Sequence, residues 1–240
     1  MSKGETRRGG EYIYSVAPPL LGLVLLIGLS LSYYSPVFPF QREITALIFV
    51  TICIVGAIAC VYPAKILSLF REKNPTRRDE AGPGYLGHHP SCGRFKTHVI
   101  KIRGKVLCAG CTGLTIGAIA AVMVTLYTIL LPIQTPALIT LVIGVTLVTV
   151  GILQHALGRD PRLHLALNVA LVTGVALTRI GANLLNGGIV VDAYALALSL
   201  YLIVARIDLS KDDHEAVCGS CAVPCKRSYV AHRNISIIDG

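Results

Sequence analysis

Six apolar runs of membrane-spanning length constrain the fold of this chain more than any other feature. A helix of about 20 apolar residues crosses the roughly 30 Å hydrocarbon core of a bilayer. Only 15% of the 240 residues are charged and 53% are hydrophobic, which is unusual for a soluble domain. The sequence therefore predicts an all-α polytopic membrane protein with six transmembrane helices, at residues 16–34, 44–62, 110–131, 136–157, 163–185 and 189–205.

The distribution of basic residues predicts the orientation of these helices. All but two of the 22 Lys and Arg residues lie on one side of the predicted membrane; the two exceptions are Arg42 and Arg179. The positive-inside rule then places both termini in the cytoplasm, in an N-in/C-in arrangement within the cell (plasma) membrane. The net charge of +9 is explained by this inner-face excess, which suits anionic lipid headgroups and gives no reason to expect nucleic acid.

Four segments follow from this arrangement. Residues 1–69 form an N-terminal tail and the first two transmembrane helices, and residues 110–206 form the other four. Residues 70–109 make a cytoplasmic linker, rich in proline and glycine at 73–87, followed by a small hairpin. Residues 207–240 form a cytoplasmic Cys-rich tail.

The cytoplasmic linker ends in a pattern that is typical of a tight β-hairpin. Residues 97–102 and 105–108 alternate in character around Arg103-Gly104, which predicts two antiparallel strands. A His-His-x-x-Cys sequence precedes the hairpin, and a Cys-x-x-Cys sequence follows it at the start of the third helix. This order resembles a treble-clef-like zinc site.

Zinc is the preferred interpretation of the first cysteine cluster. Cytoplasmic thiols are reduced, so metal or redox chemistry is favoured over a disulfide framework. A Cys-x-x-Cys pair supplies two corners of a tetrahedron, and the helix N-terminus stabilises thiolates. A dithiol redox couple is the alternative, because the same pair is a thioredoxin-like signature. The predicted zinc ligands are His89, Cys92, Cys108 and Cys111, with His88 as the alternate for His89.

The C-terminal tail carries a second cluster of ligand-type residues. A second zinc site is the preferred interpretation, because short Cys/His-rich tracts are typical of metal-binding sequences. An iron–sulfur cluster, palmitoylated cysteines and a tail with free reduced thiols stay open as alternatives. The predicted ligands of this second site are His214, Cys218, Cys221 and Cys225, with His232 as the alternate.

The stretch Cys108-Ala-Gly-Cys111-Thr-Gly, continued by Leu-Thr-Ile-Gly to residue 117, resembles the Cys-x-Arg-Cys-Thr-Gly-x-x-x-Gly signature of a prokaryotic family of predicted membrane proteins of unknown function. The likeness covers residues 88–177 and includes Gln154, Arg159, Asn168 and Gly174. Gly110 stands where the family usually has Arg. The resemblance implies a membrane protein with a metal loop and implies no activity.

Polar residues inside or beside the predicted helices form two further groups. One surrounds the inner turn between the fourth and fifth helices; it could line a vestibule, contact the metal cap or headgroups, or be an ordinary basic inner loop. In the other, Arg179 lies within the fifth helix with Asn183 one turn further out, and Asp192 is its expected partner. The inner group comprises Gln154, His155, Arg159, Asp160, His164 and Asn168.

Small residues complete the pattern within the helices. Gly113, Gly117 and Ala121 recur every four residues and predict a close helix contact. Cys53 and Cys60, in the second helix, are expected to be small buried fillers.

No Ser-His-Asp constellation, phosphate-binding glycine loop or paired-carboxylate motif occurs, so an enzyme is not the first expectation. The sequence predicts a zinc-binding membrane protein with a structural, accessory or docking role, in a larger membrane complex or a homo-oligomer. A four-ligand zinc site is closed, which favours structure over catalysis. The alternatives are a membrane thiol or iron–sulfur redox protein and a small-solute transporter.

Overall fold

The computed structural model describes residues 3–32, 36–62, 85–86, 98–102, 105–131, 135–154 and 160–219. For residues 3–15, 85–86, 102, 105 and 211–219 it describes the backbone alone. This part of the chain contains six helices and three short strands. The helices are α1 Lys3–Ser32, α2 Gln41–Val61, α3 Ala109–Leu130, α4 Ala137–Ile152, α5 Pro161–Leu185 and α6 Ile189–Gly219; the strands are β1 Tyr85–Leu86, β2 Val99–Ile102 and β3 Lys105–Cys108.

Four of the helices are long and apolar enough to cross a membrane. They are α2, α3, α5 and the Ile189–Ser210 part of α6, whereas the apolar stretches Val16–Ser32 of α1 and Ala137–Ile152 of α4 are shorter. Large apolar side chains such as Leu47, Met123 and Leu130 are exposed on the outside of the bundle. Such a surface suits a lipid bilayer, because contiguous apolar surface is rare on soluble monomers. The prediction of a helical membrane protein is thus confirmed at the level of four candidate spans.

The predicted hairpin strands pair as expected. β2 and β3 are antiparallel, with Val99 opposite Cys108 and Ile102 opposite Lys105. The short strand β1, which the sequence pattern did not predict, joins the other edge of β3 in parallel. Because β3 ends at Cys108 and α3 begins at Ala109, the sheet leads directly into a candidate span.

The helices alternate in direction between two ends of the bundle. We call the end that carries β2 and β3 the hairpin end, and the opposite end the distal end. α3 and α5 both begin at the hairpin end, because Gly110 lies beside His164. α2 and α6 both begin at the distal end, where Gln41 binds Asp192. α4 runs antiparallel to α5, and α1 antiparallel to α6.

Glycines allow α3 and α4 to approach α5 closely. A Cβ at Gly113 would lie 2.5 Å from the carbonyl oxygen of Leu165, and one at Gly144 would collide with the backbone nitrogen of Thr178. Both helices therefore pack backbone against backbone with α5, as small residues permit in membrane bundles. The predicted contact face of Gly113, Gly117 and Ala121 is confirmed, since all three are buried.

The last helix continues beyond the predicted end of its apolar run. α6 extends past residue 205 to Gly219, so the first part of the predicted tail is helical. Its polar second half, residues 206–218, contains no glycine or proline that would end a helix. Leu209 in this half is buried, which shows that the extension packs against the bundle.

Candidate thiol and polar sites at the two ends of the bundle

Two of the predicted zinc ligands meet at the first turn of α3. Cys108 is the N-cap residue, and its Sγ accepts a hydrogen bond from the backbone N–H of Cys111 at 3.5 Å. The two side chains also share a hydrogen bond, and both are buried, with exposed fractions of 0% and 7%. The hairpin thus delivers one thiol and the helix the other, which is the arrangement that the Cys-x-x-Cys pattern predicts.

A third thiol, from Cys60, contacts this pair. Cys60 lies in the last turn of α2, and its side chain is hydrogen-bonded to that of Cys111. The sequence pattern indicated a simple apolar filler here, so this contact was missed. The position of Cys60 could have indicated the contact, because it lies at the end of the second predicted helix, on the membrane side that also carries the cysteine cluster. None of these three described cysteines is in a disulfide bond, and their thiols form a chain with Cys111 in the middle.

The environment of Cys108 favours the protonated thiol. The hydrogen bond with the Cys111 side chain and burial both raise the pKa of the Cys108 thiol above its ordinary value. A thiol that ionises poorly is a weak nucleophile, because the thiolate is the reactive form. A bound divalent cation would reverse this effect, since coordination deprotonates a thiol.

The other predicted zinc ligands cannot be compared with the structure. His88, His89 and Cys92 lie outside the described residues, as do Cys221, Cys225 and His232 of the second site. His214 and Cys218 are residues of α6, and the structure describes only the backbone at these two positions. Within the described part of the chain, no three His, Cys, Asp or Glu side chains converge to hold a metal ion. The described donors therefore provide two of the four ligands proposed for the first site.

A buried polar network lies beside the thiols and centres on Asn168. Its Nδ2 donates to Gln154 Oε1 at 3.0 Å and to the carbonyl oxygen of His164 at 2.6 Å. Its Oδ1 accepts from Arg206 Nε at 2.9 Å. Asn168 is fully buried, so this one amide joins α5 to α6 and to the residues that follow α4. Arg206 was predicted only as an inner-face basic residue, and its burial at the network was missed.

His164 connects this network with the thiol region. Its Nε2 lies 3.3 Å from Arg206 Nη2, and its ring makes an edge contact with the ring of His98, at a centroid distance of 5.9 Å. A Cβ at Gly110 would lie 3.3 Å from the same Nε2, so α3 approaches the histidine closely. The structure thus brings the predicted inner-face residues Gln154, His164 and Asn168 together.

Of the three other predicted inner-face residues, the structure describes only Asp160. Asp160 is the N-cap of α5, where its Oδ1 accepts from the backbone N–H groups of Arg162 at 2.7 Å and Leu163 at 3.1 Å. This is an ordinary structural role for an aspartate that precedes a helix. His155 and Arg159 lie outside the described residues.

The polar residues predicted within the membrane are close together at the distal end, but they pair differently from the expectation. Asp192 is 1% exposed and accepts hydrogen bonds from Gln41 Nε2 at 2.6 Å and from Asn183 Nδ2 at 2.9 and 3.0 Å. Among the described residues, no carboxylate lies within ion-pair distance of Arg179, whose guanidinium instead lies over the ring of Phe49 at 5.0 Å. Asp192 therefore acts on Arg179 electrostatically, without a direct ion pair between the two side chains. Amide donors bind the carboxylate directly, and α2 supplies one of them.

The fold and these sites define an α-helical membrane protein with a thiol-rich hairpin end and a polar distal end. No protein-family model, no curated protein and no solved structure matches this chain. The resemblance of residues 108–117 to the Cys-x-Arg-Cys-Thr-Gly family stays a prediction.

Proposed function

We propose that this chain is a multi-pass membrane protein whose hairpin end binds Zn²⁺ in a structural site. The observation that carries the proposal is the buried contact between the Cys108 and Cys111 thiols in the first turn of α3. In this proposal His89 and Cys92 complete the tetrahedron, with His88 as the alternate for His89. A zinc ion held by four protein ligands has no open position for a substrate, so its contribution is rigidity.

The proposed zinc ion would join the hairpin to the membrane helices. Because β3 runs directly into α3, a metal bound at Cys108 and Cys111 would restrict how this helix leaves the sheet. The rigid surface so formed suits docking within a larger membrane complex or a homo-oligomer. Membership of the Cys-x-Arg-Cys-Thr-Gly family is part of the same proposal.

The proposed setting is the plasma membrane, with six crossings and both termini in the cytoplasm. Two observations support it. The helices alternate in direction, and the basic residues of the sequence concentrate in the segments at the hairpin end. A second zinc in the tail would lie on the same side; its proposed ligands are His214, Cys218, Cys221 and Cys225, with His232 as the alternate.

Metal analysis of the purified full chain tests the proposal. We expect about one or two zinc ions per chain, and the loss of one in Cys108→Ser and in Cys111→Ser, because a site with three ligands binds weakly. Cys53→Ser is the matched control, since it removes a cysteine of α2 that is also buried. Substitution with cobalt would report tetrahedral thiolate ligands by its visible spectrum.

Two outcomes would contradict the zinc site. One is wild-type protein with markedly less than one zinc per chain, and the other is Cys108→Ser protein with the full wild-type content. Orientation is tested separately in intact cells with a membrane-impermeant maleimide. Labelling of cysteines at the hairpin end from outside would overturn the cytoplasmic assignment.

A second candidate function is dithiol redox chemistry, and the Cys60–Cys111–Cys108 chain specifically favours it. Two of these thiols would form one S–S bond and release two protons and two electrons to an acceptor of the quinone class. An exchange between two disulfide partners of Cys111 would then need no large movement. Peptide mapping after equilibration in glutathione buffers should find the disulfide if this function is correct. An iron–sulfur cluster would instead give a visible absorption band that responds to reduction.

A further inference from the structure

A small cavity at the distal end is lined by Arg42 and Arg179. These are the two basic residues that do not lie on the predicted cytoplasmic side. We call this cavity the distal cavity. It lies between α2, α3 and α5, close to the ends of all three helices. The side chains that line it include those of Arg42, Ala46, Thr128, Arg179, Ile180 and Asn183.

Arg179, which lines the distal cavity, has a side-chain nitrogen without a hydrogen-bond partner. Its side chain is 4% exposed, and its buried Nε has no hydrogen-bond partner. The contact with the face of Phe49 attracts the cation but supplies no negative charge. A buried guanidinium with no carboxylate bonded directly to it is costly in a membrane protein, so its position favours an anionic partner.

The charges around the cavity do not balance. The groups that act electrostatically on Arg179 are Asp192, Arg42 and Cys53, and the thiol of Cys53 is neutral when protonated. Asp192 is already bonded to Gln41 and Asn183 and forms no ion pair with Arg179. Two guanidinium groups and one carboxylate leave one positive charge, and the missing charge is therefore a single negative one.

Arg42 forms the outer boundary of the cavity. Its Nη2 donates to the carbonyl oxygen of Thr128 at 2.7 Å, which holds the guanidinium against the end of α3. The Arg42 side chain is otherwise exposed, so an ion can reach the cavity from the surface. The cavity is too small for a phosphate or a carboxylate ligand, which leaves a monatomic ion as the candidate.

We propose that the distal cavity binds one small monovalent anion of chloride size between the guanidinium groups of Arg42 and Arg179. The ion supplies the missing negative charge and gives the buried Arg179 Nε an acceptor. It also links α2 to α5 at the distal end. This site is independent of the thiols at the hairpin end.

The test uses the full chain purified in a maltoside detergent, which contains no phosphate. Thermal unfolding is compared in sodium chloride and in sodium gluconate of equal ionic strength and pH. We expect chloride to raise the unfolding midpoint saturably by about 2–4 °C, because a ligand that binds the folded state stabilises it. Crystals soaked in sodium bromide should show an anomalous peak between Arg42 and Arg179.

Three arginine variants with the same charge change complete the test. Arg42→Gln and Arg179→Gln should abolish the chloride effect, whereas Arg162→Gln, at an exposed position near the hairpin end, should retain it. If Arg179→Gln fails to fold, Arg42→Gln carries the test, since its side chain is exposed. Equal wild-type midpoints in the two salts, or a full chloride effect in Arg42→Gln, would overturn the proposal. So would a midpoint in nanodiscs that depends on anionic lipid and not on chloride, because a headgroup would then be the partner.

Discussion

Asn168 offers the sharpest test of how the hairpin end is held together. Its side chain is fully buried and makes hydrogen bonds with the side chains of Gln154, at 3.0 Å, and Arg206, at 2.9 Å. Asn168→Ala removes both bonds and leaves a buried amide oxygen and a buried guanidinium N–H without their partner. We therefore expect this variant to fold with markedly lower stability.

The expected loss can be worked out from the two bonds. A hydrogen bond between neutral side chains in a membrane bundle contributes about 0.6 kcal/mol. A hydrogen bond to a charged group contributes roughly 1.5–3 kcal/mol to the free energy of unfolding. Inside the protein no water replaces the lost partner, so the whole contribution is lost. The two together give an expected decrease of about 2–4 kcal/mol in the free energy of unfolding.

The isosteric variant Asn168→Asp should behave very differently. Its carboxylate still accepts from Arg206 Nε, now with an opposite charge. Gln154 Nε2 has no hydrogen-bond partner in the described part of the chain, so the amide can rotate and donate to the new carboxylate. We expect a smaller loss than in Asn168→Ala, about 1–2 kcal/mol, because Gln154 and Arg206 keep a hydrogen bond and only the bond to the carbonyl oxygen of His164 is lost.

Reversible unfolding in mixed micelles, followed by circular dichroism, measures these differences. Thr146→Ala is the control, since it removes an exposed hydroxyl whose only bond is to the carbonyl oxygen of Val142 in its own helix. The control should change the unfolding free energy by less than about 0.5 kcal/mol. A stabilising role for the Asn168 hydrogen bonds is contradicted if Asn168→Asp is as destabilising as Asn168→Ala, or if Asn168→Ala is as stable as the control.

Three further predictions concern other parts of the bundle. Gly144→Leu should lower the unfolding midpoint strongly, because its side chain would collide with the backbone of α5, whereas Gly28→Ala, with open space around it, should be neutral or slightly stabilising. Gln41→Leu should cost about 1–3 kcal/mol by removing a donor from a buried carboxylate, measured against Thr51→Ala, which loses only a bond within its own helix. In protein treated with a chelator, the alkylation of Cys108, followed by mass spectrometry, should be slow at neutral pH. Its rate should increase only in alkaline buffer, because the pKa of the Cys108 thiol is raised. Rapid alkylation near pH 7 would contradict the environment described for that thiol.

Apolar length and local pattern accounted for much of the architecture. The runs near 44–62, 110–131, 163–185 and 189–205 correspond to the four helices that are long and apolar enough to cross a membrane. The alternation around residues 103–104 predicted the pairing of β2 with β3, and the spacing of Gly113 and Gly117 predicted the close contact of α3. These features depend on neighbours within a few residues or on total hydrophobicity, so they can be derived without the tertiary structure.

The contacts that define the candidate sites depended on residues far apart in the chain. Gln41 and Asp192 are 151 positions apart, and Asn168 and Arg206 are 38 apart. A helical pattern shows which residues share a face, but it does not show which helix that face meets. The expected partnership of Arg179 and Asp192 did not include the amides of Gln41 and Asn183 for this reason, although both amides bind the carboxylate directly.

Three features could be derived from the residues alone: the chain is a helical membrane protein, Cys108 and Cys111 meet at a helix start, and polar residues occur within apolar helices. Three others came from the packing of the bundle: Cys60 joins the thiols, Asn168 is the centre of a buried network, and Arg179 and Arg42 line one cavity. The two sets differ because the hydrophobicity of a segment depends on its own residues, whereas hydrogen-bond partners and charge balance depend on which helices are neighbours.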